Sequence, residues 1–133
     1  MIVNLFKATT PNKFRATKAA GTAVTKGSLY AITGTDVALV TGAVTAGNMF
    51  IAEEDITAGM ARTDVQVCSV HPTDVYVIDT VNAANAAHNG QQMLINATGD
   101  KLINSGTTAS TGSFIQVGLV AGSTNKVRAV RFI

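Results

Sequence analysis

The chain has 133 residues, enough for one hydrophobic core and hardly for two. Apolar residues make up 47%, which excludes disorder throughout, while charged residues are only 14%, against roughly 25% in an ordinary soluble domain. So few charges, on a surface of Ala, Thr, Gly, Asn and Val, are what a protein covered by partners would show, although Thr and Asn also keep β surfaces wet.

In chain order, Met1 to Pro11 reads as an extended N-terminal arm (1–11) ahead of a single β domain (12–133). Short β-branched and aromatic runs then alternate with Gly, Asn, Asp and Thr clusters, the texture of a compact β-sandwich or β-barrel of short antiparallel strands. The expected strands are Lys13–Thr17, Ser28–Ile32, Val37–Val40, Asn48–Ala52, Val65–Val70 and Val75–Ile78. Gln92–Asn96, Lys101–Asn104, Phe114–Leu119 and Lys126–Phe132 complete the set, so the fold class is all-β. Turns are expected at Thr33-Gly34-Thr35-Asp36, Thr98-Gly99-Asp100 and Gly122-Ser123-Thr124-Asn125. The best helical stretch, Asn82–His88, is short enough to be one turn in a loop.

Two stretches, about 24–55 and 88–120, echo one another. Gly27 opens a strand, a tight turn and a second strand, and Ala46-Gly47 leads into Phe50-Ile51. Gly90 opens a similar series, which ends at Thr111-Gly112 ahead of Phe114-Ile115. Either β-rich text repeats by chance here, or two similar meanders pair their apolar faces into one core.

Charge is unevenly placed. Residues 1–35 carry Lys7, Lys13, Arg15, Lys18 and Lys26 and no acid, while all eight acids lie between Asp36 and Asn125 alongside only Arg62 and Lys101. Lys126, Arg128 and Arg131 follow. Basic ends around an acidic middle read as two surfaces with different tasks.

Few residues point to chemistry. Cys68 is the only cysteine, so no internal disulfide can form. Cys68 and His71 lack the further ligands of structural zinc, since His88 is the only other His or Cys, and Cys68 reads better as a small buried hydrophobe. Glu53-Glu54-Asp55 could bind a cation or do acid–base work, but a solvated strand end is the simpler account. There is no Gly-x-Ser-x-Gly elbow and no phosphate-binding glycine loop. With no Trp, two Tyr and five Phe, stacking platforms for nucleic acid or sugar are scarce. No signal peptide or run of about 20 apolar residues is visible, so the expected product is soluble, with no membrane partner. The expectation is a protein with no catalytic residues, no cofactor, no metal and no small-molecule substrate.

Residues Asn89-Gly90-Gln91-Gln92-Met93-Leu94-Ile95, Ala97-Thr98-Gly99-Asp100-Lys101-Leu102, Ser113 to Val120 and Lys126 to Phe132 carry a resemblance. Over residues 12 to 133 the pattern resembles the capsid decoration (cement) proteins of tailed bacteriophages. That resemblance implies a β-sandwich or barrel, usually a homotrimer, that clamps neighbouring major capsid subunits on the outside of the head. It implies a virion location after synthesis in the host cytoplasm, and partners that are the major capsid protein and other copies of itself. Under it, Lys7, Lys13, Arg15 and Lys18 are the expected capsid contacts, against the simpler reading that they keep an N-terminal strand soluble. A head-fibre base or a tail or baseplate β-domain is the alternative virion role. A small ligand-binding or hydrolytic barrel would instead use His71, Glu53 or Cys68.

Overall fold

Short runs of alternating apolar side chains, each closed by a glycine or polar turn, can bury one face only by pairing with other such runs. The computed structural model describes residues 1–6, 12–40, 49–72, 74–104 and 114–131, and the regular structure among them is nearly all strand. The strands are β1 (Ile2–Phe6), β2 (Lys13–Thr17), β3 (Leu29–Thr33), β4 (Asp36–Leu39), β5 (Phe50–Ala52) and β6 (Asp64–Ser69). They continue as β7 (Val75–Thr80), β8 (Gln92–Met93), β9 (Lys101–Leu102), β10 (Phe114–Leu119) and β11 (Lys126–Arg131). The helical stretch is a single 3-10 turn, Ala86–His88, capped by the Asn85 side chain, which accepts from the Ala87 N–H at 2.9 Å.

Two sheets form. The first runs β1-β7-β11-β10-β8, with β9 parallel to the far end of β7; the second runs β2-β6-β5-β3-β4. All other pairings are antiparallel. The main core lies between the sheets and gathers Ile2, Leu29, Ile51, Tyr76, Ile78, Met93, Leu102, Phe114 and Val127 among others. The other face of the second sheet holds its own cluster of Ala16, Val24, Tyr30, Val37, Ala52, Ile56, Val65 and Val67. Its end strands β2 and β4 come within 8 Å between Cα atoms, so this sheet curls around that cluster. The architecture is thus a sandwich, with one of its layers curled. β3 and β5 bury side chains on both faces and therefore read as continuous apolar runs.

The echoed segments lie in different sheets and have one strand pairing in common. Tyr30 lies opposite Phe50 and Leu29 opposite Ile51; Met93 lies opposite Phe114 and Gln92 opposite Ile115. The buried faces are offset by one residue. Leu29 and Ile51 enter the main core in the first segment, and Met93 and Phe114 do so in the second.

Residues 2–6, expected to lie in an extended arm, are instead an edge strand of the first sheet. Ile2 pairs with Ile78 and is buried in the main core, and its N–H donates to the Gly27 carbonyl at 2.9 Å. Apolar β-branched residues at 2 and 3 gain more from that burial than from solvent. Residues 7–11 of the expected arm lie outside the described residues. Gly99 closes the turn between β8 and β9 at φ +70, where a Cβ would stand 2.7 Å from Leu39 Cδ1 and 3.1 Å from the Val40 carbonyl. Only glycine fits so close an approach.

Candidate functional site

An antiparallel sheet packed on one side normally turns polar residues to water on the other. The outer face of the first sheet does so only in part. Along β7 the inward residues are Tyr76, Ile78 and Thr80, which turns Val75, Val77 and Asp79 outward; along β11, Val127, Ala129 and Arg131 point in and Lys126, Arg128 and Val130 out. Pairing extends the outer set. Val3 lies opposite Val77, Val75 opposite Val130, and Ile115 opposite Val130. Val3 and Val117 are 49% and 44% exposed, so a stripe of valine and isoleucine meets solvent across four neighbouring strands.

A bulge shapes the centre of this face. The register shifts between Gln116 and Gly118, which makes Val117 the extra residue of β10 and sets Gly118 opposite Arg128. The Arg128 side chain lies over Gly118: a Cβ there would stand 2.5 Å from a guanidinium nitrogen and 3.1 Å from Cζ. Val77, Leu119, Val120, Ala121 and Arg128 line a shallow depression of about 430 Å³ at this point. Among the described residues no carboxylate pairs with Arg128, whereas Asp79, the acid on this face, is engaged by Lys126.

The residues singled out for capsid contact fall elsewhere. Lys13 and Arg15 sit on β2, beside β6, where the register sets Arg15 opposite Gln66 and Thr17 opposite Asp64. Lys13 Nζ meets Glu53 at 3.1 Å, and Arg15 meets Asp64 at 2.7 Å and Glu54 at 3.4 Å. Arg62 bridges the same two acids at 3.0 Å and 3.5 Å. The basic start of the chain and its acidic middle therefore neutralise one another across the β2–β6 pair. Lys18 is 1% exposed, and its ammonium donates to the Ala19 and Arg62 carbonyls at 2.8 Å each. Lys7 lies outside the described residues.

The carboxylates of this cluster are held low. The Arg15 hydrogen bond is the largest cause that brings Asp64 down to about 2, and for Glu54 the Gln66 backbone N–H leads, followed by Arg62. Since the folded value lies below the unfolded one, the Asp64 contribution is complete above its unfolded value of about 3.9 and vanishes as the pH falls toward about 2. The melting temperature is therefore expected to stay level from neutral pH down to about pH 5 and to decline between about pH 4 and pH 2. Asp64→Asn should lower the neutral-pH value and flatten the acid limb, as read by calorimetry in dilute buffer. The Asp64 carboxylate is about half exposed, so added salt should shrink the difference.

The remaining chemical candidates are also drawn into the scaffold. Asp55 accepts from the Lys26 N–H at 2.8 Å, so each member of Glu53-Glu54-Asp55 has a protein partner. Cys68 lies at the half-buried end of β6 and lines a cleft of about 380 Å³ between the sheets, with Ile2, Ile51, Ala52, Tyr76 and the rim residues Lys13 and Glu53. The Tyr76 hydroxyl accepts from the His71 N–H at 2.9 Å, and burial pushes its pKa up to about 12. Among the described residues no three His, Cys, Asp or Glu side chains are grouped to hold a metal ion, and no helix is long and apolar enough to cross a membrane.

Sequence reasoning did not single out Val3, Val117, Leu119 or Arg128. The available signal was the absence of alternation. Val75 to Ile78 and Phe114-Ile115 are apolar at successive positions, so one of the two faces had to be apolar and outward, or both had to be covered. No family model, curated protein or solved structure matches the chain.

Proposed function

We propose that this protein is a non-enzymatic virion component that binds the outer surface of a tailed-phage head and clamps neighbouring major capsid subunits as a homotrimer, after synthesis in the host cytoplasm. The observation that carries this reading is the apolar outer face of the first sheet. Val3 and Val117, exposed, and Val75, Val77, Ile115 and Val130, half-buried, form an apolar surface with only a shallow depression, and apolar patches of this kind mark protein interfaces.

Four strands about 4.8 Å apart and about 20 Å long give a footprint of roughly 300–400 Å². A stable interface needs roughly 800 Å² per partner, so the clamp must extend to flanking turns or to more than one capsid subunit. Repetition over a lattice multiplies modest contacts of this size. The low charge content of 14% fits a protein whose surface is shared with neighbours. The resemblance over residues 12 to 133 supplies the capsid as the partner.

Co-sedimentation with mature, undecorated heads tests the reading. Saturable binding at a fixed ratio to the capsid subunit, with heads that survive heating better when decorated, is the expected result. Absence of binding to heads competent for decoration would overturn it and turn attention to a fibre-base or tail role.

A further inference from the structure

Among the described residues Arg128 stands without a carboxylate partner in the middle of the apolar stripe, with the Lys126–Asp79 pair on the same face. Its guanidinium rests in the notch left by Gly118, at the bulge of β10, with Val77 and Leu119 beside it. Any surface that covers Val77 and Val117 must also cover Arg128. A desolvated guanidinium without an acceptor is costly, so the covering surface has to bring an acceptor of opposite charge. A planar guanidinium is matched best by a carboxylate, in a two-pronged contact.

A second copy laid face to face does not meet this need. On the outer face of the described strands the acid is Asp79, and Lys126 already engages it. A twofold stack through the centre would bring the two Arg128 cations toward each other. We infer that the outer face of the first sheet docks a different protein, whose apolar surface carries an Asp or Glu placed to meet Arg128 above Gly118. This rests on the proposed head-binding function, under which that protein is the major capsid subunit. It moves the charged contact from the N-terminal lysines to Arg128.

The test uses the full chain as wild type, Arg128→Glu, Arg128→Lys and Val117→Asp. Each is run alone in sedimentation velocity and then titrated against undecorated heads. Arg128 and Val117 are both exposed, so unchanged melting temperatures are expected for all variants. The expected result is an unchanged oligomeric mass, at least a tenfold weaker apparent affinity for Arg128→Glu and Val117→Asp, and a smaller loss for Arg128→Lys. Wild-type affinity in Arg128→Glu overturns the inference and leaves the head-binding function standing. A change of oligomeric mass in Val117→Asp or Arg128→Glu also overturns it, because the face would then be a contact between copies. Failure of the wild type itself to bind heads overturns the function and this partner together.

Discussion

Lys18→Glu is expected to yield little or no folded protein, although a lysine in a basic, polar-looking stretch reads as a surface residue. The Lys18 ammonium is buried and donates to the Ala19 and Arg62 carbonyls, which belong to the segments that follow β2 and precede β6. Hydrogen bonds to a charged donor contribute about 1.5–3 kcal/mol each, and a carboxylate in the same place would face two carbonyl oxygens with no donor. Total stability for a domain of this size is about 5–15 kcal/mol, so the loss is a large part of it. Lys18→Met, which keeps the aliphatic stem, should fold with a urea midpoint lowered by an amount equivalent to about 2–4 kcal/mol. A head-contacting role for Lys18 would instead leave the midpoint of Lys18→Met untouched and change only binding.

Phe114→Ala is expected to cost about 3–5 kcal/mol. Phe114 is fully buried, lies opposite Met93 and Arg131, and meets the Tyr76 ring edge-on with centroids 6.1 Å apart. Its removal opens a cavity between the two sheets that the paired strands cannot close. Three residues on, Val117→Ala should shift stability by less than about 0.5 kcal/mol, because Val117 faces out. Equilibrium urea unfolding of the two variants checks the inside and outside of β10 directly; similar losses in both would contradict the assigned faces.

How much of this was legible in the sequence depended on how local each signal is. β2 and β10 have the expected bounds, since a short run closed by polar turns fixes a strand without reference to its partner. β8 and β9 are shorter than expected: beyond Met93 the pairing continues only as the Ile95–Leu102 bridge across the tight Gly99 turn. The first strand was read as part of an arm because its partner β7 lies more than half the chain away, and no nearby turn announces the pairing. Charge was misleading for the same reason. The sequence separates a basic start from an acidic middle, but the β2–β6 register folds Lys13 and Arg15 onto Glu53, Glu54 and Asp64. Lys18 carries no local sign of burial at all. The apolar outer face could be suspected from the missing alternation in β7 and β10, but which side looks outward follows only from the stacking of the two sheets.

The central claim is that the outer face of the first sheet is the surface that partners cover. Hydroxyl-radical footprinting of the free protein and of protein bound to undecorated heads measures this side chain by side chain. In the free state Val117, Leu119, Leu39 and Met60 are all exposed and should all be oxidised. On heads, Val117 and Leu119 are expected to be protected while at least one of Leu39 and Met60 still reacts. Oxidation of Val117 and Leu119 at the same rate in both states would contradict the account.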